Sequence, residues 1–223
     1  MATFRKVVLA NNQIYHVYNR GVERRIIFTN KREFQRAIDT VKYYRFASLP
    51  LKFSKFLVQP AARRLELISN IHSSENKQVE IIAYCLMPNH FHFLVKQLRD
   101  NGISRFISNF TNSYTKYFNT KHERNGPLVQ GIFKAVLVET DEQLMHVSRY
   151  IHLNPVASFV IKEEELENYE WSSYREYLGL IEGFCGKEIV LNQFPSIKHY
   201  RQFTLGQVSY AQELEKIKHL LLE

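Results

Sequence analysis

Residues Val79 to Lys96 hold the pattern that most restricts the fold. Val79 to Met87 (VEIIAYCLM) is an apolar, β-branched and aromatic run of strand length. Pro88-Asn89 breaks it, and His90 to Lys96 (HFHFLVK) resumes it. Two such runs joined by turn-forming residues predict a buried β-hairpin. Around it, Ile14 to Asn19 (IYHVYN) reads as a strand closed by Arg20-Gly21. Asn30 is placed to cap a helix over KREFQRAIDTVKYYRF. Gly102 to Lys121 sets Ile103, Phe106, Ile107, Phe110, Tyr114 and Tyr117 at spacings of three and four, which marks an amphipathic helix. Phe133 to Glu139 is a further strand, and Thr140 caps a helix expected to run through Leu153 and to end at Pro155.

The resulting order is β-α-β-β-α-β plus a helix. It predicts an α+β, ferredoxin-like antiparallel sheet with helices, the plan of many RNA-recognition modules, with a further helix after the fourth strand. Residues 1–155 form the expected core, interrupted by a basic insertion at about 49–75 that contains Pro50, Pro60 and a short helix. Residues 156–223 form a small C-terminal extension or subdomain. It carries an acidic run (Glu163, Glu164, Glu165, Glu167), an aromatic stretch from Tyr169 to Tyr174, and a helix around Glu213 to Leu222.

Lys and Arg number 30 against 22 Asp and Glu, a net charge of +8, and the isoelectric point is near 9.4. Such a balance favours a polyanionic partner, nucleic acid before an anionic membrane; its other reading is solubility alone. No apolar run approaches the ~20 residues needed to cross a bilayer, and the N-terminus lacks the apolar segment of a signal peptide. A cytoplasmic protein is expected. Cys85 and Cys185 lack any paired motif and read as reduced, buried thiols.

Two small groups of residues carry chemistry. His90 and His92 stand two apart on one strand, so both face the same way about 7 Å apart, at ~3.4 Å rise per residue. Two imidazoles so placed can converge on a metal ion, or they can be hydrogen-bonded histidines on a half-buried strand. Tyr150 and Asn154 lie one turn apart on a helix face, and His146 lies one turn earlier. The phenol is a candidate nucleophile and the amide a candidate oxygen donor; alone, the pair is also a packed tyrosine and a helix-terminating asparagine. His16, on the first strand, and His146 are accessory candidates. Tyr114 and Tyr117 are rival tyrosines whose ordinary role is packing a helix on the sheet. Arg20, Arg24, Arg25, Lys31, Arg32 and Arg36 cluster near the first strand and helix, a patch suited to phosphate contact, or else a solvated face.

The stretches YHVYNRG, AYCLMPNHFHFLV, SYTKYFN, VSRYIHLNPV and WSSYREY, in this order, resemble the single-tyrosine HUH transposases, in which two histidines flank a bulky apolar residue. Among these they look most like the REP-associated tyrosine transposases. The resemblance covers roughly Ile14 to Leu178. It implies that His90, His92 and Asn154 hold a divalent metal, Mg²⁺ or Mn²⁺, and that Tyr150 is the nucleophile. It further implies single-stranded, hairpin-forming DNA as partner, a 5′-phosphotyrosine intermediate, nucleoid association and a monomer or homodimer. The alternatives are a non-catalytic nucleic-acid-binding module on an RNA-recognition-like fold and a metal hydrolase that uses water.

Overall fold

The computed structural model describes residues 7–71 and 76–220. Its order is β1 (Ile14–Arg20), α1 (Lys31–Tyr44), α2 (Phe53–Leu57), α3 (Ala61–Ile71), β2 (Val79–Met87), β3 (His90–Gln97), α4 (Gly102–Lys121), β4 (Lys134–Val138) and α5 (Asp141–Ala157). The short α6 (Tyr174–Tyr177) and α7 (Glu188–Leu191) follow, then α8 (Ile197–Leu205) and α9 (Val208–Leu220). One sheet of four strands takes the order β2-β3-β1-β4. This is the expected antiparallel α+β arrangement, with β3 and β1 as the inner strands.

The chain divides into two compact units. The first comprises Met1–Glu80, Pro88–His90 and Val95–Leu137; the second comprises Ile81–Met87, Phe91–Leu94 and Val138–Glu223. In the first, β1 alternates in burial, with Tyr15, Val17 and Asn19 buried and Ile14, His16 and Tyr18 half-buried. Such alternation is the mark of a strand with one face covered. Asn30 caps α1 by accepting from the Glu33 amide at 3.2 Å. The α1 and α4 helices pack on each other. Within this layer the Tyr114 hydroxyl donates to the Ile27 carbonyl at 2.6 Å, and its ring lies 5.0 Å from that of Phe28.

The insertion holds two helices where one was expected. The second, α3, buries only Leu67 and Ile71. The first, α2, is fastened to α1 through the rings of Phe53 and Phe56, 5.1 and 5.0 Å from that of Tyr43.

In the second unit α5 continues through Pro155 to Ala157 instead of stopping before it. A proline in the last turn removes one hydrogen bond. Leu153, Asn154, Pro155, Val156 and Ala157 are all buried, and this packing outweighs the loss. The extension also covers the edge of β2. The Leu86 amide donates to the Trp171 carbonyl at 2.8 Å and the Ser173 amide to the Tyr84 carbonyl at 3.0 Å. An outer strand is thereby closed against further pairing. The acidic run forms a 3₁₀ turn, Glu163–Asn168. The C-terminal helix begins earlier than expected, at Val208; the last residues of the expected stretch lie outside the described ones.

Candidate active site

The turn before His90 is held in place by backbone bonds within the first unit. Gly21 donates to the Asn89 carbonyl at 2.8 Å, and Ile27 and Phe28 donate to that of Pro88 at 2.7 and 3.0 Å. Gly21 fits because it lacks a side chain: a Cβ there would collide with the Arg25 carbonyl oxygen. His90 is half-buried, with Nδ1 2.6 Å from Asn89 Oδ1. That contact sets the orientation of the ring. Two residues on, His92 is 5% exposed. Phe91 and Phe93, also buried, pack ring to ring at 5.1 Å. Strand alternation therefore keeps the histidines on one face and the phenylalanines on the other.

In the second unit, α5 brings a tyrosine to one of these histidines. The ring of Tyr150 meets that of His92 edge-on, with centroids 5.5 Å apart and planes at 86°. Tyr150 is 40% exposed while Asn154, one turn later, is 4% exposed. The Asn154 amide nitrogen reaches the Tyr150 carbonyl at 3.4 Å. The helix start that sets this register is capped by Thr140, whose hydroxyl accepts from the Gln143 amide at 3.1 Å. The phenol thus reaches solvent while the amide is shielded from it.

Imidazole nitrogens and an amide oxygen are donors of a type that suits a divalent cation carrying a phosphate as its counter-charge. Among the described residues no group of three or more His, Cys, Asp or Glu gathers to hold a metal. A metal at the β3 histidines would therefore need a donor of another residue type.

The accessory candidates separate. His16 sits half-buried on β1, 5.1 Å from the Tyr18 ring, and desolvation by burial lowers its pKa to about 4. It is neutral at pH 7. His146 is turned to α8: Arg149 lies 3.0 Å from its Nδ1 and its ring is 5.8 Å from that of Phe203. Tyr114, a rival tyrosine, is 2% exposed, and burial pushes its phenol far up. Of the basic group, Arg20, Arg24, Lys31 and Arg32 are exposed. Arg25 pairs with Glu23 at 3.1 Å. Arg36 is drawn in between Phe53 and Tyr117, at 4.5 and 5.1 Å from the ring centres.

One residue of α5 escaped the sequence reading. His152 is fully buried between positions 150 and 154, and desolvation lowers its pKa to about 3. Its Nδ1 meets the Tyr200 hydroxyl at 2.7 Å and its Nε2 the Ser173 hydroxyl at 2.8 Å. Burial keeps the ring neutral, so one nitrogen donates and the other accepts. The extension thus locks the rotation of the helix that presents Tyr150 and Asn154.

Residues 42–154 match the family model described as "Transposase IS200 like". The chain belongs to the IS200-like transposase family. The matched stretch spans just over half of this transposase-family chain and includes His90, His92, Tyr150 and Asn154; His16 and the basic group from Arg20 to Arg36 lie before it. No curated protein matches the chain. A solved structure described as the REP-associated tyrosine transposase bound to a REP hairpin is similar in fold. It has a TM-score of 0.51 and 16% identity, over 82% of this chain and 89% of that one. No helix among the described residues is long and apolar enough to cross a membrane.

Proposed function

We propose that this chain is a metal-dependent endonuclease and strand transferase for single-stranded DNA, with Tyr150 as the nucleophile. The observation that carries this reading is the edge-on approach of the Tyr150 ring to His92, 5.5 Å between centroids, with Asn154 a turn further along the same helix. Residues 1–155 are the functional core in this reading and 156–223 its extension. The Tyr150 oxygen attacks the scissile phosphorus, the bond to the 3′ oxygen breaks, and a 5′-phosphotyrosine and a free 3′-hydroxyl result. The phenol gives up its proton, and the departing 3′ oxygen takes one. One phosphodiester replaces another, so a second 3′-hydroxyl can reverse the step and join a different strand. A divalent cation, Mg²⁺ or Mn²⁺, held by His90, His92 and Asn154, supplies charge neutralisation at the phosphate when bound. Hairpin-forming DNA is the substrate class in this reading, supported by the hairpin in the similar structure's description.

The test mixes the protein with end-labelled single-stranded hairpins and Mn²⁺, followed by a denaturing protein gel. Label is expected to migrate with the protein and to vanish with Tyr150→Phe or with chelator. Binding with no adduct on any hairpin would leave a nucleic-acid-binding module. Cleavage without an adduct would leave a hydrolase that uses water.

A further inference from the structure

Within the first unit, a cavity of about 850 Å³ opens between α1, α4 and the loop leading into α2. One wall is the polar face of α4. Asn109, Asn112 and Lys116 follow one another at helical spacing, opposite the buried Phe106, Phe110, Tyr114 and Phe118. The other walls carry Arg36 and Lys52, and the ring of Tyr117 closes the inner end beneath Arg36. The loop is pinned rather than loose. The Tyr43 hydroxyl donates to the Leu51 carbonyl at 2.6 Å, and the Phe53 amide donates to the Tyr44 hydroxyl at 3.1 Å.

The electrostatics of this cavity are one-sided. Its lining contains no carboxylate. Lys121 is neutralised by Glu33 at 2.7 Å, but among the described residues no ion pair engages Arg36, Lys52 or Lys116. The Arg36 guanidinium is held over the rings of Phe53 and Tyr117 at the cavity wall. Arg36 feels the charge of Asp39 on its own helix, but Lys52 and Lys116 carry no ion pair among the described residues, and lysines so placed beside amides able to read a base edge are the chemistry of nucleotide recognition.

We propose that this cavity binds one nucleotide of a single-stranded DNA, its phosphate on Lys52, Lys116 and Arg36 and its base edge against Asn109 and Asn112. The inference rests on the DNA-acting reading above but not on the tyrosine chemistry. The experiment measures fluorescence anisotropy of a labelled single-stranded oligonucleotide on the full chain. It is done in chelator and on a Tyr150→Phe background, so binding is read without cleavage.

K52Q/K116Q is expected to weaken binding roughly tenfold and to flatten the slope of log affinity against log salt by about 1.4, at ~0.7 for each lysine charge removed from the phosphates. Asn109→Ala is expected to weaken binding with the salt slope unchanged. The control K55Q/K198Q removes the same charge from exposed positions outside the cavity. Equal losses from K52Q/K116Q and from the control would overturn the proposal, leaving adduct formation by the unmutated chain as a separate question. A chain that forms no adduct yet loses binding through K52Q/K116Q alone would keep the cavity and sink the transferase. Tight binding of thymidine 5′-monophosphate, with oligonucleotide affinity insensitive to K52Q/K116Q, would assign the cavity to a free nucleotide and overturn it as a DNA contact.

Discussion

At the scale of single residues, exposure separates the candidate nucleophiles. A phenol must reach a phosphate and must tolerate a negative charge as its proton leaves. Tyr150 is 40% exposed, whereas Tyr114 is 2% exposed and gives its hydrogen to the Ile27 carbonyl at 2.6 Å. Tyr150→Phe should abolish adduct formation and leave the melting temperature nearly unchanged. Tyr114→Phe should do the reverse, keeping the adduct and costing about 1 kcal/mol of stability in a urea melt. A stable but adduct-free Tyr114→Phe variant would move the nucleophile to α4.

Glu33 sets a second residue-scale expectation. It is fully buried. Burial pushes its carboxyl up, but Lys121, the Thr29 amide, His122 and the Thr29 hydroxyl outweigh this and hold its pKa at about 2. The folded pKa lies below the unfolded value near 4.5, so the stabilisation is complete above pH ~4.5 and is lost as pH falls toward 2. Glu33→Gln should cost roughly 2–3 kcal/mol at pH 7. Its deficit against the unmutated chain should shrink between pH 4.5 and 2, as followed by denaturant melts. A deficit that does not change with pH would show that the carboxylate's charge contributes nothing.

At the scale of elements, the extension and α5 behave as one assembly joined at Ser173. That hydroxyl accepts from the Tyr84 amide at 2.9 Å and meets His152 Nε2 at 2.8 Å, all in buried surroundings. Ser173→Ala leaves a strand amide and an imidazole without their partner and should cost roughly 2–3 kcal/mol. If His152 orients α5, adduct formation should slow in Ser173→Ala even at temperatures where it is fully folded. Normal single-turnover rates would confine His152 to packing.

None of this network could be read from local pattern, because its partners lie 21 and 48 residues beyond His152. The same holds for Arg36, whose aromatic slot is built by Phe53 and Tyr117 from other elements. By contrast, the bounds of α4 and the hairpin were legible, because a 3.6-residue period and two apolar runs broken by Pro88-Asn89 are properties of each segment alone. So was the pairing of Tyr150 with Asn154, which needs only one helical turn. The α3 helix was faint because two buried side chains in eleven residues leave almost no periodic signal. Pro155 misled because a rule for isolated helices met a densely packed last turn.

At the scale of the whole molecule, the end of α5 and the extension belong to one compact unit. The second compact unit takes in Val138–Glu223 together with stretches of β2 and β3. Beyond α5, the extension contributes Tyr174, Tyr177 and Tyr200, each at 0% exposure and each in ring contact with His152. Burying a large side chain of this kind is worth about 2–3 kcal/mol, so the three together supply roughly 6–9 kcal/mol. Whole domains are stable by only about 5–15 kcal/mol. A chain ending at Ala157 would also leave the Tyr84 and Leu86 amides of β2 without the carbonyl and hydroxyl acceptors of residues 171–173. Such a truncation should therefore lose its cooperative thermal transition, or aggregate on size exclusion, and it should form no adduct even though it keeps His90, His92, Tyr150 and Asn154. A truncated chain that melts cooperatively within a few degrees of the full protein would show that α5 holds its place without the extension. Tyr150 would then be presented by the core alone.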